Sequence, residues 1–309
     1  GENMIFEGKQ YSNLFQGVVK YPFNRVQSLR FSGGFRMDRI VVRSSFIDTA
    51  SLKSPDLKRQ NFLLGKLEFI HDNTIQKATN ILNGLRYKIY SDFSTQVNPP
   101  SDTLVKPGKF NYNLGADVRI YKPIYRNFIW AGRAAADFSW GSQKVLYYLG
   151  GMDGWMFPKY YLNSPDPDQT YAYQSLALNM RGFNQNVANG NNNIVLNSEF
   201  RFPVFATLLN KPINNAFLRN FMIIQFVDLG TAWNGSYDKL ERPYTGYPDQ
   251  TGDVEVRIKA GGIGPFVGGY GFGVRSTLLG YFLRLDIGWQ MNGFFSGKPL
   301  AQFAMGVDF

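Results

Sequence analysis

Apolar and polar residues alternate along this chain in segments of about nine to thirteen residues. In Phe110–Tyr121, apolar residues occupy every second position, and the positions between them include Asn111, Asp117 and Arg119. Tyr281–Gln290 has the same pattern. Because successive side chains of a β-strand point to opposite faces, this alternation predicts strands with one apolar face and one polar face.

Turn signals separate these segments into about eleven predicted strands. Short turns alternate with longer loops, and the longest loop is predicted at Gly141–Asn192. The predicted strands are Ser12–Tyr21, Ser28–Ser44, Asn61–His71, Gly84–Phe93, Phe110–Tyr121, Asn127–Trp140, Asn193–Phe202, Phe221–Trp233, Gly268–Arg275, Tyr281–Gln290 and Ala301–Phe309.

Alternating strands occur both in soluble sandwiches, whose apolar face is the core, and in transmembrane barrels, whose apolar face meets lipid. Soluble strands average about five or six residues, whereas a tilted strand needs about nine to eleven residues to cross a bilayer. The predicted strands have the longer length, and several have aromatic residues near their ends, such as Trp140 and Trp289. The pattern therefore predicts an all-β fold, a transmembrane antiparallel β-barrel.

The strand count bears on how much of the barrel this chain supplies. A bacterial barrel with both ends in the periplasm needs an even number of strands, and about eleven is odd. An open sheet edge in lipid would leave backbone groups unpaired, at a cost of several kcal/mol each. We therefore expect residues 1–309 to be the C-terminal part of an outer-membrane barrel, either as a fragment or as one part of a split barrel. The preceding strands and a periplasmic domain would lie outside this chain.

Composition supports an all-β fold and excludes several kinds of chemistry. Charged residues make up 18% of the chain, below the roughly 25% of soluble domains, while aromatic residues reach 16%. Cysteine is absent and His71 is the only histidine, which excludes thiol chemistry and two-histidine zinc motifs. We expect no enzyme activity, no metal site and no cofactor. The net charge is +10, but no Lys/Arg run is dense enough to favour nucleic acid.

The longest loop contains the sequence Met180-Arg181-Gly182-Phe183. Alternation places Glu199 on the polar face of the next strand and Asp228 on the polar face of the strand after it. An arginine between two carboxylates can bind one of them bidentately and still reach the other. The alternative is that Arg181 is an ordinary solvated loop residue.

The loop sequence and the two following strands, Asn197–Pro203 with Glu199 and Phe226–Gly230 with Asp228, resemble in this order the BamA/TamA-type family of outer-membrane assembly barrels. This family, the bacterial surface antigen domains, also includes two-partner secretion transporters. The resemblance implies that the loop folds back into the lumen as a plug and that Arg181 meets Glu199 and Asp228 there. Met180 departs from the family's usual aliphatic residue. Gly150–Asp153 with Phe157-Pro158, and also Gly268–Gly273, are similar to the corresponding segments of the subgroup in which a TolB-like propeller precedes the barrel.

The C-terminal segment ends on an aromatic residue, as outer-membrane proteins commonly do. Phe303, Met305, Val307 and Phe309 are predicted to share one face of the last strand. The resemblance implies that this strand is a β-signal and forms one side of a weak seam between the first and last strands of a barrel of about sixteen strands. A client strand could pair with the opened edge, as in β-augmentation.

The resemblance implies a location in the outer membrane of a Gram-negative bacterium and a function in protein insertion or protein transport. The expected partners are lipid, outer-membrane protein clients or subunits of a secretion or assembly complex, and a periplasmic domain of the same polypeptide. The alternative is a passive or structural barrel that anchors a periplasmic propeller in an outer-membrane complex. That alternative requires a fully paired seam, whereas an insertion barrel requires a seam that opens.

The protein extracted from outer membranes is expected to be much larger than the 35.1 kDa of this chain. The reason is that an even-stranded, closed barrel needs strands beyond those predicted here. Intact mass and N-terminal sequencing would measure this directly. A mature polypeptide that starts at Gly1 would require another chain to complete the barrel, or would show the strand count to be wrong.

Overall fold

One large antiparallel sheet dominates the computed structural model, which describes residues 7–43, 60–97, 108–177, 179–209, 212–236, 240–248 and 255–309. Within these ranges the strands are β1 (Glu7–Pro22), β2 (Gln27–Arg43), β3 (Gln60–Asp72), β4 (Ile75–Ala78), β5 (Ile81–Gln96), β6 (Phe110–Tyr125), β7 (Phe128–Gly141), β8 (Lys144–Leu149), β9 (Tyr171–Ala177), β10 (Ala188–Gly190), β11 (Asn192–Pro203), β12 (Met222–Trp233), β13 (Tyr244–Pro248), β14 (Glu255–Lys259), β15 (Gly262–Ile263), β16 (Phe266–Leu278), β17 (Tyr281–Gln290) and β18 (Leu300–Met305). The helices in the same ranges are α1 (Val204–Leu208) and α2 (Ala216–Asn220).

The main path of the sheet follows chain order. Across the described residues, its eleven strands pair in the sequence β1-β2-β3-β5-β6-β7-β11-β12-β16-β17-β18, and every pair is antiparallel. Each strand predicted from alternation corresponds to one of these, so the all-β prediction is confirmed. Ser44, at the predicted end of the second strand, lies outside the described residues.

The two faces of the sheet have the polarity that alternation predicted. On β6, Leu114 and Val118 are exposed on the outer face, whereas Asn111 and Asn113 are buried on the inner face. A water-soluble sheet would bury the apolar side chains instead. An apolar exterior over a polar interior is the arrangement of a transmembrane barrel wall.

Charged residues on the inner face of the sheet pair with one another. Asp117 lies 2.8 Å from Arg119 and 3.1 Å from Arg133, and Glu68 lies 3.5 Å from Arg30. The inward positions of long strands therefore hold ion pairs where a soluble protein would hold aliphatic core.

The long loop between β7 and β11 is folded rather than extended. Its strands β8, β9 and β10 form a small sheet in the order β10-β8-β9. Leu149, Met180, Phe183 and Val187 from this loop pack against Val195 of β11 in one buried cluster. The loop thus covers the inner face of the wall and supplies apolar core there.

The end of the wall opposite the long loop carries the shorter connections between strands. The predicted turn region Asp72–Asn83 contains β4, which pairs with β5, and the turn region Pro203–Asn220 contains α1 and α2. A second buried cluster at this end includes Ile81, Tyr121 and Phe309. In the described part of the chain, no helix is long and apolar enough to span a membrane.

The last strand is shorter than predicted. β18 ends at Met305, so the prediction that the strand continues to Phe309 is wrong. The backbone turns at Gly306, where φ is +116°, and Asp308 and Phe309 are buried in the interior. The physical reason is the attraction of the Asp308 carboxylate to the buried side chains of Arg275 and Arg284.

Two neighbouring positions on β5 test the assignment of the faces. Ile89 is exposed on the apolar face, whereas Lys88 points to the other side of the strand. In phospholipid vesicles, Ile89→Arg is expected to lower the free energy of unfolding by about 2–4 kcal/mol, because a lipid-facing charge near the bilayer midplane costs that much. Lys88→Arg, the control on the same strand, is expected to change it little. Equal losses of unfolding free energy in the two variants, measured by urea titration, would contradict the assignment of the faces.

Candidate functional site

The sequence Met180-Arg181-Gly182-Phe183 lies inside the curved face of the wall. It follows β9 in the long loop, and all four residues are buried. The loop places Arg181 against the inner faces of β11 and β12, which carry Glu199 and Asp228. The structure thus brings together the three charged residues singled out in the sequence.

Arg181 binds both carboxylates directly. Its Nε and Nη2 atoms donate to the two oxygens of Asp228 at 2.7 and 2.8 Å, and its Nη1 atom donates to Glu199 Oε1 at 2.5 Å. The backbone N–H of Arg181 also donates to Asp228, at 3.0 Å. A bidentate pair with a further carboxylate and a backbone donor fixes both the guanidinium and the loop backbone.

The surrounding residues complete the charge balance. Arg201 Nε donates to Glu199 Oε2 at 2.8 Å, and Asn197 Nδ2 donates to Asp228 Oδ1 at 2.8 Å. Two arginines thus face two carboxylates, and the Phe226 ring lies 4.0 Å from the Arg181 guanidinium carbon. Burial alone would lower the pKa of Arg181, but Asp228 and Glu199 outweigh it and raise that pKa well above its usual value.

Glycines on β16 and β17 allow the loop to approach the wall closely. A Cβ atom at Gly269 would lie 2.0 Å from the carbonyl oxygen of Arg181. A Cβ atom at Gly288 would lie 2.7 Å from the backbone nitrogen of Gly182. No side chain fits at either position, so the loop backbone rests directly on the strands.

Gln302 on β18 ties the loop to the last strand, and sequence reasoning missed it. The backbone N–H of Gly182 donates to Gln302 Oε1 at 3.0 Å, and Gln302 Nε2 donates to the carbonyl of Phe183 at 3.3 Å. The one signal that could have found Gln302 from the sequence was its inward position on an alternating strand. The loop motif therefore contacts β11, β12 and β18 at once.

The four C-terminal residues predicted to share one face do not all do so. Phe303 and Met305 lie on the outer side of β18, with Phe303 half-buried and Met305 exposed. Val307 is exposed beyond the strand, and Phe309 is buried inside. The prediction is thus wrong for Phe309, because the turn at Gly306 reverses the direction of the last residues.

Asp308 anchors the C-terminal tail in the interior. Its carboxylate accepts from Arg275 Nε at 2.9 Å, Arg284 Nη1 at 3.1 Å and Asn80 Nδ2 at 2.7 Å. Burial would raise the pKa of Asp308, but the arginines, Arg275 first among them, hold that pKa well below its usual range. Asn80 lies in the turn between β4 and β5, and nothing in the sequence pattern pointed to it.

The tail and the loop motif share one network. Arg201 Nη2 donates to the carbonyl of Phe309 at 3.0 Å, while its Nε atom binds Glu199. Glu199 in turn binds Arg181. A continuous set of buried hydrogen bonds therefore joins the C-terminus to the loop.

His71 lies apart from this network and stacks on Tyr87, with ring centroids 4.9 Å apart. Within the described ranges, no group of three or more histidine or acidic residues could hold a metal ion.

Comparison with solved structures identifies the architecture. BamA from Haemophilus ducreyi lacking POTRA domains 1–3 superposes with a TM-score of 0.55 over 96% of this chain and 54% of that chain, at 16% sequence identity. The fold is a barrel wall like that of BamA. CdiB from Acinetobacter baumannii gives a TM-score of 0.34 at 14% identity, over 96% of this chain and 50% of that chain. This chain thus spans about half the length of these structures. The sequence itself matches no family model and no curated protein.

Removing the Arg181 guanidinium tests how firmly the loop is held. Arg181→Met is expected to lower the free energy of unfolding by about 3–5 kcal/mol, because Asp228 is left buried without its bidentate partner. The loop between β7 and β11 should also become sensitive to protease. The control is Arg30→Met, since the Arg30 side chain is 41% exposed and Glu68 keeps its ion pair with Lys66 at 3.1 Å; about 0–1 kcal/mol is expected there. Similar losses of unfolding free energy in both variants would contradict the role of Arg181 in holding the loop.

Proposed function

We propose that this chain forms the C-terminal wall of a bacterial outer-membrane barrel that inserts or translocates other proteins. The observation that carries the proposal is the fully buried contact of Arg181 with Glu199 and Asp228, which holds a long loop against the interior of the wall. The resemblance of these residues to BamA/TamA-type barrels and the BamA-like fold support the same function. The apolar outer face supports a lipid environment.

The filled interior favours a protein-handling barrel over an open pore. Phe183 and Met180 lie in a buried apolar cluster, and Arg181 is neutralised by fixed carboxylates. A diffusion channel needs a polar, water-filled lumen, whereas here the loop covers the inner face of β11, β12, β16 and β17. The loop acts as a plug that keeps the wall closed to small solutes and braces it from inside.

The last strand has the properties that such a function needs. β18 has six residues, whereas its neighbour β17 has ten. A short strand forms few hydrogen bonds with a neighbour, so a seam at β18 would open at lower cost than any other position in the wall. An open edge pairs readily with an extended chain, especially in lipid, where no water replaces the missing partner. A client strand would enter there, with Phe303 and Met305 beside the lipid.

The described sheet has two edges, since β1 and β18 are the ends of its path and do not pair with each other among the described residues. We propose that further strands complete a barrel of about sixteen and that a periplasmic domain of the same polypeptide lies below it. Gly150–Asp153 and Gly268–Gly273 favour a propeller as that domain, by their likeness to the propeller-bearing subgroup. Client proteins, or subunits of a secretion or assembly complex, would be the partners.

Reconstitution of the complete protein in phospholipid vesicles tests the function. An unfolded outer-membrane barrel protein is added, and its folding is followed by its heat-modifiable mobility on gels. Folding is expected to be at least about tenfold faster than with empty vesicles, equivalent to about 1.4 kcal/mol off the barrier. Arg181→Met should reduce this acceleration, and Arg30→Met should retain it.

A well-folded protein that gives the rate of empty vesicles would contradict the proposal. That result would favour the passive barrel that anchors a periplasmic propeller.

A further inference from the structure

A short piece of the long loop pairs with the edge of β18 that faces away from β17. Trp155 and Ala304 form an isolated antiparallel bridge. On either side of it, the N–H of Met156 donates to the carbonyl of Phe303 at 2.9 Å, and the N–H of Met305 donates to the carbonyl of Gly154 at 3.1 Å. The neighbouring N–H of Gly306 donates instead to Phe282 of β17, at 2.9 Å. The loop therefore adds a strand-like segment to the end of the sheet.

We propose that Gly154–Met156 is a latch that occupies the hydrogen-bonding edge of β18 and must withdraw before another extended strand can pair with residues 303–305. Its role in regulating client entry rests on the proposed function; the existence of the latch does not. The latch belongs to the same chain as the edge that it covers, so it is an autoinhibitory contact.

Geometry makes the latch and an incoming strand mutually exclusive. Adjacent strands lie about 4.7–4.9 Å apart, so only one segment can occupy the edge at a given position. The outward carbonyl of Phe303 and the outward N–H of Met305 are already engaged by the latch. An incoming strand would replace these hydrogen bonds with equivalent ones. Exchange of one partner for the other is therefore a competition rather than a permanent block.

The latch is connected to the buried network of the loop. The carbonyl of Asp153 accepts from Arg284 Nη2, and Arg284 Nη1 also binds Asp308 of the tail. The N–H of Asp153 donates to Asn179 Oδ1 at 2.9 Å. Asn179 is next to the loop motif in sequence and also accepts from Asn197 through its carbonyl. Displacement of the loop motif Met180–Phe183 would therefore also move the latch, through Asn179 and Asp153.

Gly154 provides a well-defined point at which to disrupt the latch. Its φ is +66°, and a Cβ atom there would lie 2.1 Å from the carbonyl oxygen of Met305. Gly264, in another loop, has φ of +56°, but a Cβ atom there would meet no other atom within 4 Å. Alanine imposes similar backbone strain at both positions, so only Gly154→Ala should separate the latch from β18.

Amide hydrogen exchange in the complete protein, in vesicles, tests the latch itself. In Gly154→Ala, the Met305 amide is expected to exchange at least about tenfold faster than in the unaltered protein, because its partner at Gly154 is lost. The Gly306 amide, which binds β17, should be unchanged, and Gly264→Ala should alter neither amide. An unchanged Met305 exchange rate in Gly154→Ala would overturn the latch.

A disulfide tests whether the latch controls client entry. The chain has no cysteine, so Trp155→Cys with Ala304→Cys offers a single pair. A non-hydrogen-bonded antiparallel pair has Cα atoms about 4.5 Å apart, within the disulfide range of about 4.4–6.8 Å. The oxidised variant is expected to lose the acceleration of client folding, and a reductant should restore it. The control is Phe272→Cys with Ile287→Cys, a register pair of β16 and β17 in the wall.

The outcomes separate the latch from the proposed function. Failure of the Trp155/Ala304 variant to form a disulfide would overturn the latch, and full client folding in the oxidised form would overturn its regulatory role. If the unaltered protein gives no acceleration at all, the proposed function fails, and the exchange of the Met305 amide still decides whether the latch exists.

Discussion

The burial of the Arg181 charge is the interaction on which the interior depends. A guanidinium that leaves water needs acceptors and opposite charge to replace its hydration, and Glu199 and Asp228 supply both from two adjacent strands. Since Asp228 also receives the backbone N–H of Arg181, the same contact sets the path of the loop. Arg201 then balances Glu199 and holds the carbonyl of Phe309. The loop, two wall strands and the C-terminal tail are therefore one electrostatic unit.

The wall was predictable because its signal is local. Side chains of a strand alternate whatever the rest of the chain does, so the pattern of β6 or β17 is visible in ten consecutive residues. Alternation also assigns Glu199 and Asp228 to the polar face, which is why their contact with Arg181 could be anticipated. The resemblance to known barrels supplied the remaining step, namely that the loop folds inward.

Other features could not be predicted, since they depend on residues far apart in the sequence. Gln302 meets Gly182 across 120 residues, and Asn80 meets Asp308 across 228 residues. The last residues of the chain look like a continuing strand, with alternation through Val307 to Phe309. Attraction of Asp308 to Arg275 and Arg284 overrides that local pattern and ends β18 early. A pairing edge for Gly154–Met156 likewise has no signature in the sequence around Trp155.

The contact between Asn80 and Asp308 has a geometric consequence for the sheet. Asn80 precedes β5 and Asp308 follows β18, yet their side chains are 2.7 Å apart. The turn before β5 and the tail after β18 therefore meet on the inner side of the sheet. In the described sheet, this hydrogen bond links the two ends of a stretch of strands from the inside. Two residues 228 positions apart in sequence thus act as a cross-brace on the curvature of the strands between them.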